Sequence, residues 1–200
     1  MTNTNKVSQK NGERKRNSKR RYYTYKKTPK KSALQPPQEK ERVRISFLGG
    51  INEIGKNMTV YEYKNDMFIV DCGLAFPTAE LPGVDLVIPD FTYIKNCRER
   101  IRGIIITHGH EDHIGGLAYL LKQVNIPVYA TKLTIGLIKG KLEEHGLLGS
   151  VKLVEIKPRD NITLGSFNIE LIHVNHSIPD AVGLAIRCPA GIIIQTGDFK

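Results

Sequence analysis

His108, His110 and His113, together with the carboxylate of Asp112, fall within the six residues His108-Gly109-His110-Glu111-Asp112-His113. Neutral imidazole nitrogen and carboxylate oxygen are the donors that borderline divalent metals such as zinc prefer. A catalytic single-metal site needs about three protein ligands and one open position. Four candidate ligands, two of them adjacent, are therefore one too many for a single ion. Alternation along the chain lets His108 and His110 face the same way, while the following turn presents Asp112 and His113 to a neighbouring position. That arrangement suits two ions close together. The competing reading, a surface loop that happens to be rich in histidine, is disfavoured by how densely these residues follow an apolar run.

Such a cluster needs elements to hold it. The run Gly103-Ile104-Ile105-Ile106-Thr107 is short, β-branched and uncharged, the pattern of a strand buried on both faces. Behind the cluster, Ile114 to Leu121 carries apolar residues at helical spacing. The cluster is thus expected on a strand-to-helix loop, where side chains converge above the end of a sheet.

The motif has the form H-x-H-x-D-H and resembles that of the metallo-β-lactamase superfamily of binuclear metal hydrolases. The resemblance implies two further ligands from later strand ends. His176 follows the strand-like Asn168–Asn175, and Asp198 follows Gly191–Gly197. Three surrounding words, Gly49-Gly50-Ile51-Asn52-Glu53-Ile54-Gly55-Lys56-Asn57-Met58, Asn175-His176-Ser177-Ile178-Pro179-Asp180 and Thr196-Gly197-Asp198-Phe199-Lys200, narrow the likeness to the ribonuclease J family of the β-CASP branch. This resemblance spans Val43 to Lys200.

Charge divides the chain. Residues 1–42 hold 14 Lys or Arg against three acids, whereas residues 43–200 hold 16 against 17. The net charge of +10 is thus a property of the tail. Its near lack of aliphatic side chains predicts disorder up to about Gln38, with Pro36-Pro37 ending the linker. Arg14-Lys15-Arg16 and Lys19-Arg20-Arg21 flank Tyr22 and Tyr23. Cations neutralise phosphates and tyrosine rings stack on bases, so an RNA-contacting arm stands beside the plainer reading of a solvated, solubilising tail. No apolar run is long enough for a membrane helix, and the N-terminus lacks the apolar core of a signal peptide, so membrane insertion and secretion are disfavoured. Cys72, Cys97 and Cys188 have no zinc-ribbon spacing and fit reduced thiols in a cytoplasm.

The folded part opens on Val43–Leu48, an alternating strand. Gly50-x4-Gly55-Lys56 nearly matches a phosphate-binding loop, but Asn57 stands where Ser or Thr would hold magnesium, and Met58–Tyr63 reads as a strand rather than a helix. Nucleotide binding is rejected, and the glycines are assigned to a tight loop at the rim of the site. Met67–Val70 is another buried strand, and Asp71 at its end is assigned, by the resemblance, the role of a carboxylate that orients the metal ligands. Its alternative is a cap for the Cys72-Gly73 turn. Asp85 is a minor candidate for a cation. Phe91–Arg100 reads as a short helix, Val128–Ala130 as a strand, and Lys132–Glu144 as a helix with His145 in its last turn. Strands follow at Val151–Ile156, Phe167–Val174, Val182–Arg187 and Gly191–Gln195. His173, at an odd offset from His176, is expected to pack in the core rather than bind metal.

The expected architecture is α/β, the N-terminal half of a metallo-β-lactamase αββα sandwich over 43–200, preceded by the disordered basic tail 1–42. By the resemblance, His108, His110 and His176 hold one zinc, Asp112 and His113 the other, and Asp198 bridges. Water shared by the two ions would be the nucleophile, oriented by Asp112. The implied activity is 5′-to-3′ exonuclease and endonuclease action on RNA, leaving 5′-phosphate ends, in RNA maturation and mRNA decay. Homo-oligomers and RNA-decay partners are implied for the complete enzyme. A thioesterase or lactonase of the same fold, or a non-catalytic metal- or RNA-binding fragment, are the alternatives. Relatives are expected to continue past Lys200 with a final histidine ligand and the residues that grip the RNA phosphate. The 200 residues alone are therefore expected to hold one metal tightly, to be a poor nuclease, and to expose a sheet lacking its partner sheet.

Overall fold

The computed structural model describes residues 41–200, and the tail residues Arg14, Lys15, Arg16, Lys19, Arg20, Arg21, Tyr22 and Tyr23 lie outside them. The described residues belong to one compact unit, Lys40–Lys200. Two sheets make its frame. The first has six strands in sequence order: β1 (Arg44–Gly49), β2 (Met58–Tyr63), β3 (Asp66–Val70), β4 (Ile101–Ile105), β5 (Val128–Ala130) and β6 (Leu153–Glu155). β1 to β3 form an antiparallel meander, and from β3 onward every pairing is parallel. The second sheet is antiparallel throughout, with β7 (Asn161–Leu164) and β10 (Gly191–Gln195) at its edges and β8 (Phe167–His173) and β9 (Val182–Cys188) between them.

Parallel strands need crossovers, and here these are helices. α1 (Thr92–Asn96), a pair of short helices α2 (Glu111–Ile114) and α3 (Leu117–Leu121), and α4 (Lys132–Glu144) cover one face of the first sheet. The second sheet covers its other face. The period of two along a strand splits the side chains between these layers. Met67 and Ile69 of β3 enter the helix-side core with Ile104, Leu120 and Ile138. Phe68 and Val70 enter the core between the sheets with Ile105, Leu171 and Ile186. Burial on both faces is why Met67–Val70 of β3 and Gly103–Ile105 of β4 read as apolar runs. Phe68 stacks on Tyr61, centroids 5.1 Å apart, and meets Phe167 of the second sheet edge-on at 4.9 Å.

Three expectations need correction. The predicted helix after the histidine cluster begins earlier, at Glu111, and breaks at Gly115-Gly116, so Asp112 and His113 stand on a helical turn rather than in the loop. The first sheet does not lack its partner: both sheets are present and packed together. What remains exposed is the outer face of the second sheet, with Ile172, Ile192 and Ile194 in solvent. His173 is neither core nor ligand. It is the last residue of β8 and is exposed, although it shares the parity of the buried Phe167, Ile169 and Leu171. β7 went unpredicted; it carries only two apolar residues at the edge of its sheet and is held by the two-residue Gly165-Ser166 turn back into β8.

Among the described residues, no helix is long and apolar enough to cross a membrane.

Candidate metal centre

Asp71 and the candidate metal ligands gather at one end of the sandwich, where β3, β4, β8 and β10 terminate. β3 delivers Asp71, which lies in the left-handed region at φ 61°. Non-glycine residues rarely take this conformation, and aspartate is among the few that tolerate it. The turn aims the buried carboxylate across to β4. Asp71 Oδ1 accepts a hydrogen bond from Thr107 N at 2.7 Å, and Asp71 Oδ2 accepts one from Thr107 Oγ1 at 2.9 Å. Asp71 Oδ2 also lies 2.8 Å from His113 Nδ1. Thr107 in turn ties the layers together, because its carbonyl accepts the backbone N–H of Val182 from the second sheet.

The short helix α2 is clamped by its neighbours. Cys72 N donates to His113 O, Leu74 N to Glu111 O, and Gly116 N to Cys72 O, all within 3.1 Å. So close is this contact that a Cβ on Gly73 would lie 1.5 Å from Asp112 O; only glycine fits there. From the far side, Lys141 of α4 pairs with Glu111 at 2.7 Å.

Within this frame His108 Nε2 lies 3.0 Å from His110 Nδ1, and His176 Nε2 lies 3.3 Å from the same atom. A second group forms beside it. His113 Nε2 is 3.5 Å from both Asp112 Oδ2 and Asp198 Oδ2, and Asp198 Oδ2 is also 3.8 Å from His176 Nε2. His108, His110 and His176 form one set of converging donors, and His108, His113 and Asp198 another. Two nitrogens on a tetrahedral ion are about 3.3 Å apart, given metal–nitrogen bonds of about 2.0–2.1 Å. A ring nitrogen carries either one proton or one lone pair, so His110 Nδ1 cannot make a full hydrogen bond with both His108 Nε2 and His176 Nε2. A cation resolves the conflict, and the donor set fits metal.

The electrostatics of the two central rings diverge. Burial, then the neighbouring His113, push His108 down to about 4, so it is a neutral donor at physiological pH. Burial pushes His113 down as well, but the Asp71 carboxylate beside it, with Asp112 and Asp198, overrides this and raises it to about 9.

The geometry thus brings together Asp71, His108, His110, Asp112, His113, His176 and Asp198. Asp85 is exposed and outside the cluster. The strand predicted at Met58 does follow the glycine loop, and that loop does rim the site. It also supplies a residue that the sequence reading assigned no role. Asn57 Nδ2 donates to Asp112 Oδ2 at 3.1 Å and lies 3.2 Å from His113 Nε2. The only local signal was a negative one, the absence of the Ser or Thr of a phosphate loop. Thr107 was read merely as the end of a strand.

Comparison with known proteins agrees with this architecture. Residues 51–200 match the Metallo-beta-lactamase superfamily. Among curated proteins, ribonuclease J of Corynebacterium glutamicum is 50% identical over 168 residues, covering 83% of this chain and 23% of that protein. Ribonuclease J of Thermus thermophilus is 48% identical over 179 residues, covering 86% and 31%. The chain therefore spans between about a quarter and a third of the length of these relatives. Among solved structures, the metallo-beta-lactamase fold protein YhfI of Bacillus subtilis superposes with a TM-score of 0.55 at 19% identity, covering 79% of this chain and 63% of that one.

Proposed function

The chain belongs to the metallo-β-lactamase superfamily, and from that premise we propose that it carries the metal-binding part of a zinc-dependent ribonuclease. The reaction is hydrolysis of RNA phosphodiesters, 5′-to-3′ exonucleolytic and endonucleolytic, in cytoplasmic RNA maturation and mRNA decay. The observation that carries the reading is 50% identity over 168 residues to a protein named ribonuclease J. A set of imidazoles completed by carboxylates favours zinc over harder ions.

In this reading His108, His110 and His176 would hold one ion and Asp112 and His113 the second, with Asp198 available to both. When bound, such ions polarise phosphoryl oxygens and acidify water. The chain's own residues do the rest. Asp71 fixes the His113 ring through Nδ1, leaving Nε2 free to ligate. Asn57 holds Asp112 by Oδ2. Asp112 Oδ1 accepts no hydrogen bond from any described residue, and it can orient the attacking water. The test uses the intact protein, stripped with a chelator and refilled with zinc. Restored cleavage of 5′-monophosphorylated RNA is expected; turnover of thioester or lactone substrates without RNA cleavage would refute the reading.

Zinc uptake should also release protons. At a pH of about 7.5, His113, raised to about 9, still carries the proton that ligation must displace, while His108, lowered to about 4, has none to lose. Calorimetry in buffers of different ionisation enthalpy should count about one proton released at the second site, and affinity should tighten as pH rises towards 9. Heats independent of the buffer would contradict this role of His113.

The tail's contribution is electrostatic in this reading. Deleting residues 1–38 from the intact protein should weaken RNA binding and flatten its salt dependence, each lost phosphate contact on a single strand removing about 0.7 from the log–log slope. Titrations across a salt series measure it, and an unchanged slope would make the tail merely solubilising.

A further inference from the structure

Beside the metal centre lies a groove of about 770 Å³ whose walls include Ile54, Leu74, Ala75, Phe76, Leu81 and Asp112. We infer that this groove seats the nucleobase next to the scissile phosphate, with Phe76 as its stacking face. The inference rests on the ribonuclease reading above and adds to it a base subsite.

Three observations carry it. First, the groove is continuous with the site, since Asp112 belongs to both. Second, large apolar side chains are held out into water along it: Phe76 is 74% exposed and Ile54 95% exposed. Phe76 stands on backbone that is fixed rather than loose. Ala75 and Val87 exchange both of their backbone hydrogen bonds, at 2.8 and 2.9 Å, immediately before Phe76, and Pro77 follows it. Past Ile54, Lys56 N donates to Leu74 O at 2.9 Å and Asn57 N to Asp112 O at 3.0 Å. An aromatic face on a rigid support pays little ordering cost when a flat ligand stacks on it.

Third, the charges choose the occupant. Glu111 is paired with Lys141 and Glu53 with Lys56, so the walls offer no spare cation to a phosphate. Phosphate is drawn instead to the metal cluster. The group left to fill a largely apolar groove with no free cation is the base, which has two π faces and no charge. Stacking of this kind tolerates any base, so the groove would position RNA without reading its sequence.

The test is a double-mutant cycle in the intact protein carrying His110→Ala to prevent turnover. Binding is measured for a short single-stranded RNA and for the same RNA with an abasic nucleotide beside the scissile linkage. With Phe76 present, the abasic RNA should bind about 5- to 150-fold more weakly. Phe76→Ala should show that loss already on the normal RNA and no further loss on the abasic one, whereas Phe76→Tyr should restore the difference. Melting of each variant shows that the fold is kept. Equal penalties for the abasic RNA with and without Phe76, or normal binding by Phe76→Ala, would overturn the inference and leave the groove to a protein segment. Failure of the ribonuclease reading looks different: the unsubstituted protein itself would not bind or cleave RNA.

Discussion

Replacing His110 by alanine in the intact protein should abolish RNA hydrolysis while leaving the fold almost untouched. Two features of the structure separate the effects. His110 Nδ1 is the atom on which His108 Nε2 and His176 Nε2 converge, at 3.0 and 3.3 Å, so its loss removes one corner of the first donor set. Metal ions contribute several kcal/mol to the transition state, and at about 1.4 kcal/mol per decade the loss is roughly three orders of magnitude or more. The ring itself is only partly buried, at the start of α2, and makes no side-chain capping bond there. With no cap to lose, the substitution should cost no more than the roughly 1 kcal/mol typical of a point substitution. Cleavage rates on 5′-monophosphorylated RNA, metal content and a melting curve on the same preparation measure all three. Retained activity at unchanged metal stoichiometry would remove His110 from the centre.

How far this site was legible depends on the distance over which each residue acts. His108, His110, Asp112 and His113 were legible from local order alone, because their chemistry is concentrated in one short word after a buried strand. His176 and Asp198 required the family resemblance; each is a lone residue at a strand end, and nothing local distinguishes His176 from His173. The odd offset between those two predicts opposite faces only along an extended segment, and β8 stops at His173, which is exposed despite sharing the parity of the buried Phe167, Ile169 and Leu171. Asn57 was illegible for another reason. Its carboxamide matters only through Asp112, 55 positions away in sequence, and pairings of that range leave no periodic trace. β7 failed for want of signal, having two apolar residues and an edge position. The start of α2 failed because His110 stands at its N-cap without a side-chain capping bond, and the sequence rules look for Ser, Thr, Asp or Asn there.

Two substitutions at Asp71 should separate its roles as a turn residue and as the partner of His113. Its carboxylate serves Thr107 N, Thr107 Oγ1 and His113 Nδ1 together, all buried. Asp71→Ala strips these groups of their acceptor and places alanine at φ 61°. Breaking a buried, hydrogen-bonded pair of this kind costs about 3–5 kcal/mol, and alanine in the left-handed region adds about 1–2 kcal/mol. The metal-free variant should melt far below the parent. Asp71→Asn keeps the backbone preference and one acceptor oxygen, so it should fold, yet it loses the charge that lifts His113. Metal affinity should fall by about 10- to 100-fold, the usual effect of losing a ligand's supporting partner. A pH series on the metal-free protein isolates the charge. His113 binds its proton more tightly folded, at about 9, than unfolded, at about 6.5. The folded state therefore holds more protons across that window, and stability, fully present below 6.5, drains away as pH rises through 9. In Asp71→Asn the decline between pH 6.5 and 9 should flatten. If the slope and the metal affinity both matched the parent, Asp71 would be a turn residue that happens to lie near the cluster, and the orientation of His113 would need another source.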